Sequence, residues 1–208
     1  MSGTRTGRTR LGAPTLTAAD WAEAALQLIA EKGLGRLTVA ALADRLGVTK
    51  GSFYWHFKGR EGLLAAALAQ WEQRATTEAM RGLDAVADHR RRLELILDAA
   101  SRPPRARSLY AALAEAAEDP VVRRVLNRVA SARIAYLETC YSHLGLPPTV
   151  AKSQALFAYA AYRGLLQLAH EAPGTLPTDW SIYPEVIRKA LVPPAGPAPR
   201  SRKRTMKR

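Results

Sequence analysis

Cysteine is almost absent from this chain, since Cys140 is the single one among 208 residues. A lone cysteine cannot form a disulfide within the chain, which argues against a disulfide-stabilised secreted domain. We expect Cys140 to be a small buried apolar residue, and a redox or dimer-linking role is the alternative. Long apolar runs are absent too, and none approaches the ~18 residues of a membrane-spanning helix. The basic N-terminus is followed by no apolar stretch, so we expect a cytoplasmic protein without a secretory signal.

Residue clusters that carry catalysis or bind metals are also missing from the sequence. His89, His143 and His170 stand apart from one another, and no His, Cys and Asp/Glu group has the spacing of metal ligands. No glycine-rich loop lies between a strand and a helix, as a nucleotide site would require. We therefore expect no enzymatic activity, no metal and no cofactor. The motif HRRR at 89–92 is interpreted as the solvated start of a helix.

Acidic residues are scarce at the two ends of the chain. Residues 1–60 carry nine Lys/Arg and four Asp/Glu, and residues 193–208 carry six Lys/Arg and no acid. Residues 61–192 are nearly neutral, with sixteen basic and fourteen acidic side chains. The net charge of +13 therefore lies at the ends. This distribution indicates that one end binds a polyanion and that the body has another role.

β-Branched residues are sparse, and apolar residues recur at helical spacing almost throughout. We predict an all-α protein of about nine helices, which cover roughly 18–32, 39–46, 50–57, 60–80, 88–101, 105–117, 120–144, 148–171 and 179–191. Thr17, Thr38 and Thr49 precede the first three helices as N-caps. Four parts follow from this pattern: a basic flexible arm at 1–14, a three-helix unit at 15–62, a larger helical body at 63–192, and a disordered Pro-rich and basic tail at 193–208.

Helices 39–46 and 50–57 are joined by a short turn that contains Gly47, the arrangement of a helix-turn-helix. In such motifs the second helix enters the DNA major groove. On a helical wheel, Phe53 and Phe57 face the core, whereas Tyr54 and Trp55 lie towards the outside. Exposed aromatic residues of this size need a reason, and DNA contact supplies one. The alternative is that Tyr54 and Trp55 pack against the following helix.

Residues 15–64 resemble the DNA-binding region of the TetR family of bacterial transcription regulators. The resemblance rests on a first helix rich in small residues, on the patterns G…LTV..LA..LGV and T.G..Y.HF, and on a charged start to the fourth helix. It implies contacts to phosphates and base edges from Thr38, Thr49, Lys50, Gly51, Ser52, Tyr54, Trp55, His56, Lys58 and Arg60. Gly59 departs from the family, which often has Asn, Ser or Asp there, so a side-chain cap for the fourth helix is not expected.

The same resemblance implies that the body binds a small effector and forms a homodimer through the last two long helices. The segment Ala151–Leu168 is apolar nearly all round, as a helix in such an interface would be. Aromatic residues with polar tips are candidates for lining a pocket for a small apolar or aromatic effector, with plain core packing as the alternative for each. These candidates are Trp71, Tyr110, Tyr136, Tyr159 and Tyr162.

The sequence therefore predicts a transcriptional repressor that binds a palindromic operator in double-stranded DNA as a dimer and is released by a small-molecule effector. Arg5, Arg8 and Arg10 form an arm that can enter the minor groove. The tail from Arg200 to Arg208 is either solvated or a non-specific DNA contact. The alternative function is an architectural or non-specific DNA-binding protein, in which the basic ends bind DNA and no effector acts.

Overall fold

The computed structural model describes residues 16–103 and 109–194, and all regular structure within them is helical. The predicted all-α class is confirmed. The predicted arm at 1–14, residues 195–208 of the tail and the first residues of the predicted helix 105–117 lie outside the described residues. The helices are α1 (Ala18–Lys32), α2 (Val39–Leu46), α3 (Lys50–Tyr54), α4 (Arg60–Glu72), α5 (Ala79–Asp84), α6 (His89–Ala100), α7 (Leu109–Glu115), α8 (Pro120–His143), α9 (Pro148–Glu171) and α10 (Tyr183–Leu191).

Capping side chains determine where the first helices begin. Thr17 and Asp20 form a reciprocal pair at the start of α1, in which Asp20 N–H donates to Thr17 Oγ at 3.3 Å and Thr17 N–H donates to the Asp20 carboxylate at 2.7 Å. Thr38 Oγ accepts from Ala41 N–H at 3.1 Å and caps α2. Thr49 occupies the N-cap position of α3 as predicted, but its side chain makes no capping hydrogen bond.

The three-helix unit is held by a small aromatic and aliphatic core. Trp21 and Phe53 are fully buried and meet edge to face with their ring centroids 5.4 Å apart. Phe57 and Val48 are half-buried and pack against the same cluster. Gly47 ends α2 at φ 67°, in the left-handed region that favours glycine. The predicted inward side of the second motif helix is therefore confirmed, although regular α-helix ends at Tyr54 rather than at residue 57.

The predicted helix over 60–80 is interrupted by a wider turn. Regular α4 ends at Glu72, a π-helical turn covers Gln73–Glu78, and α5 continues to Asp84. A side chain from α8 takes part in the hydrogen bonding of this turn, since Arg133 Nη2 donates to the Ala75 carbonyl at 2.8 Å. Single π-helical turns of this kind occur frequently at functional sites. The turn explains why the described residues form ten α-helices where about nine were expected.

A second core joins α6, α8, α9 and α10. Leu93, Ala155 and Tyr141 are fully buried in it, and the Tyr141 hydroxyl donates to the Leu191 carbonyl at 2.9 Å, which fastens α10. Cys140 is buried in the same cluster as expected, and burial raises the pKa of its thiol. Within the described residues, no helix is long and apolar enough to cross a bilayer.

Two histidines that are distant in sequence come together at the edge of this core. The rings of His89 and His143 stack with centroids 3.7 Å apart, so the prediction that they are isolated is wrong. The buried Nδ1 of His89 has no hydrogen-bond partner among the described residues. Nor is the motif HRRR simply a solvated helix start, because the largely buried Arg92 donates to the carbonyls of Val86 and Asp84.

The stacked histidines predict that acid destabilises the fold. Burial, followed by the neighbouring His143 and Arg92, lowers the pKa of His89 below its ordinary value. The neutral form is therefore favoured in the folded state, so the stability it contributes is complete above the unfolded pKa of about 6.5 and is lost as the pH falls below it. Between about pH 7.5 and pH 5.5, the unfolding temperature should fall less in the His89→Asn variant than in the parent protein.

The control for this measurement is Ala87→Asn, which introduces the same side chain at an exposed position nearby and leaves every histidine in place. It should keep the full pH dependence of the parent protein. An identical fall in His89→Asn and in the parent would contradict the assignment.

Candidate nucleic-acid interface and ligand cavity

The second helix of the helix-turn-helix presents two large aromatic side chains to solvent. Tyr54 is 64% exposed and Trp55 is 89% exposed, so neither is covered by α4. The alternative in which they pack against the following helix is therefore wrong for this chain. Adjacent exposed aromatic residues on a small helical unit mark a contact surface, because water penalises such an apolar patch.

The rest of the predicted DNA-contacting surface surrounds these two rings. The exposed residues are Thr38, Thr49, Lys50, Gly51 and Lys58. A Cβ added at Gly51 would meet only Thr49 Oγ at 3.6 Å, which is ordinary contact. Packing within the chain therefore does not require this glycine, although glycine inside a helix costs about 1 kcal/mol relative to alanine. Ser52 and His56 are half-buried at the margin of the surface.

Two lysines on this surface have no acidic partner among the residues that the structure describes. Lys50 and Lys58 form no ion pair with any described residue. By contrast, Arg45 on α2 holds Glu31 of α1 through two hydrogen bonds of 2.7 Å each. The two lysines therefore remain available to an anionic partner, whereas Arg45 serves the packing of α1 against α2.

Arg60 has a structural role that the sequence did not reveal. Its Nε donates to the Leu37 carbonyl at 3.0 Å and its Nη2 donates to the Leu34 carbonyl at 3.2 Å. The half-buried guanidinium thus fastens the start of α4 to the connection between α1 and α2. The predicted phosphate contact of Arg60 stays a prediction. Gly59, which precedes it, provides no side-chain cap, as expected.

A cavity of about 260 Å³ lies in the body, between the π-helical turn with α5 and the helices α6, α8 and α9. Tyr136, Tyr159 and Tyr162, three of the five residues predicted to contact an effector, line it. Trp71 and Tyr110 do not line it. Their rings lie 5.7 Å apart in the core that joins the body to the three-helix unit, because α4 and α7 both pack against α1.

Several cavity residues gave no signal in the sequence. Thr76 lines the cavity because the π-helical turn directs a threonine of an otherwise polar stretch inward. Arg133 lines the cavity from α8, and its position in the sequence does not distinguish it from the other arginines of that helix. Met80 and Ile96 complete the apolar wall from α5 and α6. Only the packing of the π-helical turn, α5, α6, α8 and α9 around a common space identifies these side chains.

Two phenols at or beside the cavity, those of Tyr136 and Tyr110, are neutral hydrogen-bonding groups. The hydroxyls of Tyr159 and Tyr110 share a hydrogen bond of 2.6 Å, and burial, then this bond, raises the pKa of Tyr110. The Tyr136 hydroxyl donates to Asp84 Oδ1 at 2.9 Å, and burial, then this bond, raises its pKa to about 12. Both tyrosines are therefore protonated near neutral pH. The described residues contain no group of three or more His, Cys, Asp or Glu side chains that could hold a metal ion.

One side of α9 is left exposed by the described residues. Its buried side packs against α8 through residues such as Ala155 and Tyr159. The opposite side exposes large apolar side chains, among them Leu156 at 56% and Phe157 at 58%. Val150 and Leu168 are about half exposed. Among the described residues, the helix is thus buried on one side and exposes an apolar surface on the other.

In sequence, the helix-turn-helix unit is similar to that of known bacterial regulatory proteins. The family model described as bacterial regulatory proteins, tetR family, matches residues 22–67. The tetracycline repressor protein class A from Escherichia coli transposon 1721 is 49% identical over 43 residues, which is 21% of this chain and 20% of that protein. The HTH-type transcriptional regulator TtgR of Pseudomonas putida is 40% identical over 52 residues, 25% of each chain. The matched segments span less than half the length of these curated relatives.

A solved structure extends the likeness to the body. A transcriptional regulator from Rhodococcus sp. Rha1 has a TM-score of 0.66 and 23% sequence identity, and the match covers 85% of this chain and 92% of that one. At this identity the match shows a shared fold, in which a helix-turn-helix unit is followed by a larger helical body. The match over residues 22–67 adds the sequence pattern of the motif itself, so this segment of the chain belongs to the tetR family of bacterial regulatory proteins.

Proposed function

We propose that the protein is a dimeric transcriptional repressor that binds a palindromic operator through α3 and is released by a small effector in the cavity. The observation that carries the proposal is the exposure of Tyr54 and Trp55 beside the unpaired Lys50 and Lys58. No ion pair or extensive burial within the described part of the chain accounts for this combination of apolar and positive surface. Contact with DNA bases and phosphates accounts for both.

Each residue of the surface has a proposed DNA contact. Lys50 and Ser52 lie at the start of α3, from which a helix entering the major groove reaches base edges. Tyr54 and Trp55 contact thymine methyls and the backbone. The exposed Thr38 contacts a phosphate at the N-terminus of α2, where free N–H groups favour anions.

The exposed apolar side of α9 supplies the proposed dimer interface, together with α8. A two-fold axis there brings Leu156 and Phe157 of each protomer against the partner, and it places two copies of α3 on one face. Recognition helices of such dimers meet half-sites about one DNA turn, ~34–36 Å, apart. A palindromic site follows from that symmetry.

Effector release requires that the cavity be connected to the helix-turn-helix unit. The π-helical turn at 73–78 provides one connection, because α4 begins beside the motif and Thr76 of this turn lines the cavity. The bond between Tyr159 and Tyr110 provides another, since Tyr110 also packs against Trp71 of α4. We propose that the effector has higher affinity for an arrangement with a different spacing of the two α3 helices.

The hydrogen bond between the hydroxyls of Tyr110 and Tyr159 predicts a measurable coupling free energy between the core and the cavity wall. Tyr110→Phe leaves the buried Tyr159 hydroxyl without its partner and should lower the free energy of unfolding by about 1–2 kcal/mol. The double variant with Tyr159→Phe should recover part of this loss, giving a coupling free energy of about 1 kcal/mol in a double-mutant cycle. Urea denaturation measures all four proteins. Additive losses would show that the bond carries no coupling.

The experiment for the proposed function is selection of bound DNA from a random duplex library by the purified full chain. We expect an inverted repeat to emerge, with half-sites related by two-fold symmetry. A pool without any common motif would contradict sequence-specific repression. It would favour the architectural DNA-binding protein that the basic ends also permit.

A further inference from the structure

Arg133 is the only charged side chain among the described residues that line the cavity. It is half-buried, and its Nη2 donates to the Ala75 carbonyl at 2.8 Å. It forms no ion pair with any described carboxylate. A guanidinium facing a mostly apolar cavity without a counter-ion favours an anion there, because the low-dielectric surroundings strengthen the attraction.

Thr76 provides a second polar group on the same wall. It is only 4% exposed, and its Oγ has no hydrogen-bond partner among the described residues. A buried hydroxyl without a partner is unfavourable, so it offers a donor to whatever fills the cavity. It follows directly on Ala75, whose carbonyl accepts from Arg133. The two donors therefore belong to one end of the cavity.

The surroundings of these donors are positive rather than negative. Asp84 accepts from the Tyr136 hydroxyl at 2.9 Å and contacts Arg92 at 3.4 Å, so its carboxylate is engaged outside this end. The guanidiniums of Arg133 and Arg163 lie 5.7 Å and 4.1 Å from the centroid of one ring, that of Tyr110. Two cations near the same buried ring add to the preference for an anionic ligand.

We propose that the cavity binds a small amphiphilic carboxylate, with its carboxylate on Arg133 and Thr76 and its apolar body along the wall of Ile96, Leu83 and Tyr162. Arg133 is suited to this headgroup because a planar guanidinium can donate two parallel hydrogen bonds to a carboxylate. The apolar remainder of the wall buries a short alkyl or aryl chain. The inference rests on the proposed function only in treating this cavity as the effector site.

Calorimetric titration of the full chain, without DNA, tests the proposal with matched pairs of acid and amide. The probes are octanoate with octanamide, and hydrocinnamate with hydrocinnamamide, in which each amide matches the size of its acid but lacks the charge. We expect at least one acid to bind about 10-fold or more tightly than its amide. In Arg133→Met the two affinities should agree within about 2-fold, because the counter-ion is gone.

Arg124→Met is the matched control. Arg124 is exposed on α8, nine residues before Arg133 and therefore on the opposite side of the helix. The control should keep the preference of the parent protein for the acid. Thermal unfolding shows whether each variant is folded. If Arg133→Met is not, Thr76→Val keeps the side-chain volume and should still weaken acid binding by about 3-fold or more while sparing the amide.

Three results would overturn the proposal: no binding of either acid, equal affinity for acid and amide in the parent protein, or an unchanged preference in Arg133→Met. With Arg133→Met unfolded, an unchanged acid affinity in Thr76→Val would also overturn it. None of these titrations contains DNA. Failure to select an operator would therefore contradict the proposed repressor while leaving the preference for carboxylates intact, so the two failures are distinguishable.

Discussion

Replacement of Tyr54 and Trp55 by alanine is expected to weaken binding to the selected operator by at least about 100-fold without lowering the unfolding temperature. Each side chain is mostly exposed, so its loss removes little packing from the folded chain. In a dimer the double replacement removes contacts at both half-sites. Each lost base contact costs about 1–3 kcal/mol, so the combined effect exceeds two orders of magnitude. Fluorescence anisotropy at a fixed salt concentration measures the affinity.

Ile182→Ala is the control for this variant, because Ile182 is also a large apolar residue and is 61% exposed, outside the helix-turn-helix. It should retain operator affinity within about 3-fold. Retention of affinity by the Tyr54 and Trp55 variant would show that α3 is not the recognition helix. A lowered unfolding temperature in that variant would show that these rings have a structural role.

Phe157→Glu is expected to convert the dimer into monomers and to lower operator affinity by about 100-fold or more. Phe157 lies on the exposed apolar side of α9 and is 58% exposed in the single chain. A two-fold interface contains the substituted residue twice, and each unpaired carboxylate would be removed from water at a cost of several kcal/mol. The monomer should still fold, since the substituted side chain faces outward. Sedimentation analysis gives the association state.

Ala87→Glu is the matched control for the added charge. Ala87 is exposed in the connection between α5 and α6, outside the two long helices. It should remain a dimer with normal operator affinity. A Phe157→Glu protein that stays dimeric would place the interface elsewhere on the molecule.

The local structure of the helix-turn-helix was predictable because short-range chemistry determines it. Thr17 and Asp20 are three residues apart and cap α1 as their spacing indicates. The alternation between the buried Phe53 and the exposed Trp55 follows from helical geometry alone. The same reasoning failed for the side chain of Thr49. Threonine is favoured at the N-cap, but this preference does not ensure that its hydroxyl accepts a hydrogen bond from α3.

Features that depend on contacts between distant helices were not predictable. Arg60 reaches back to carbonyls at Leu34 and Leu37, and no periodicity in the sequence reports such a bond. The stacking of His89 on His143 depends on how α6 meets the end of α8. Thr76 faces the cavity because of the π-helical turn, which has no established sequence signature. The polar end of the cavity therefore became visible only in three dimensions.

The ratio of affinities for the selected palindrome and for random duplex of equal length tests the central claim most directly. Both affinities are measured at one salt concentration near physiological ionic strength. The number of protein molecules bound per duplex at saturation is measured as well. A repressor that reads its operator through paired α3 helices should bind the palindrome at least about 1,000-fold more tightly, with two protomers per duplex. Equal affinities for the two duplexes would contradict sequence-specific recognition by this surface.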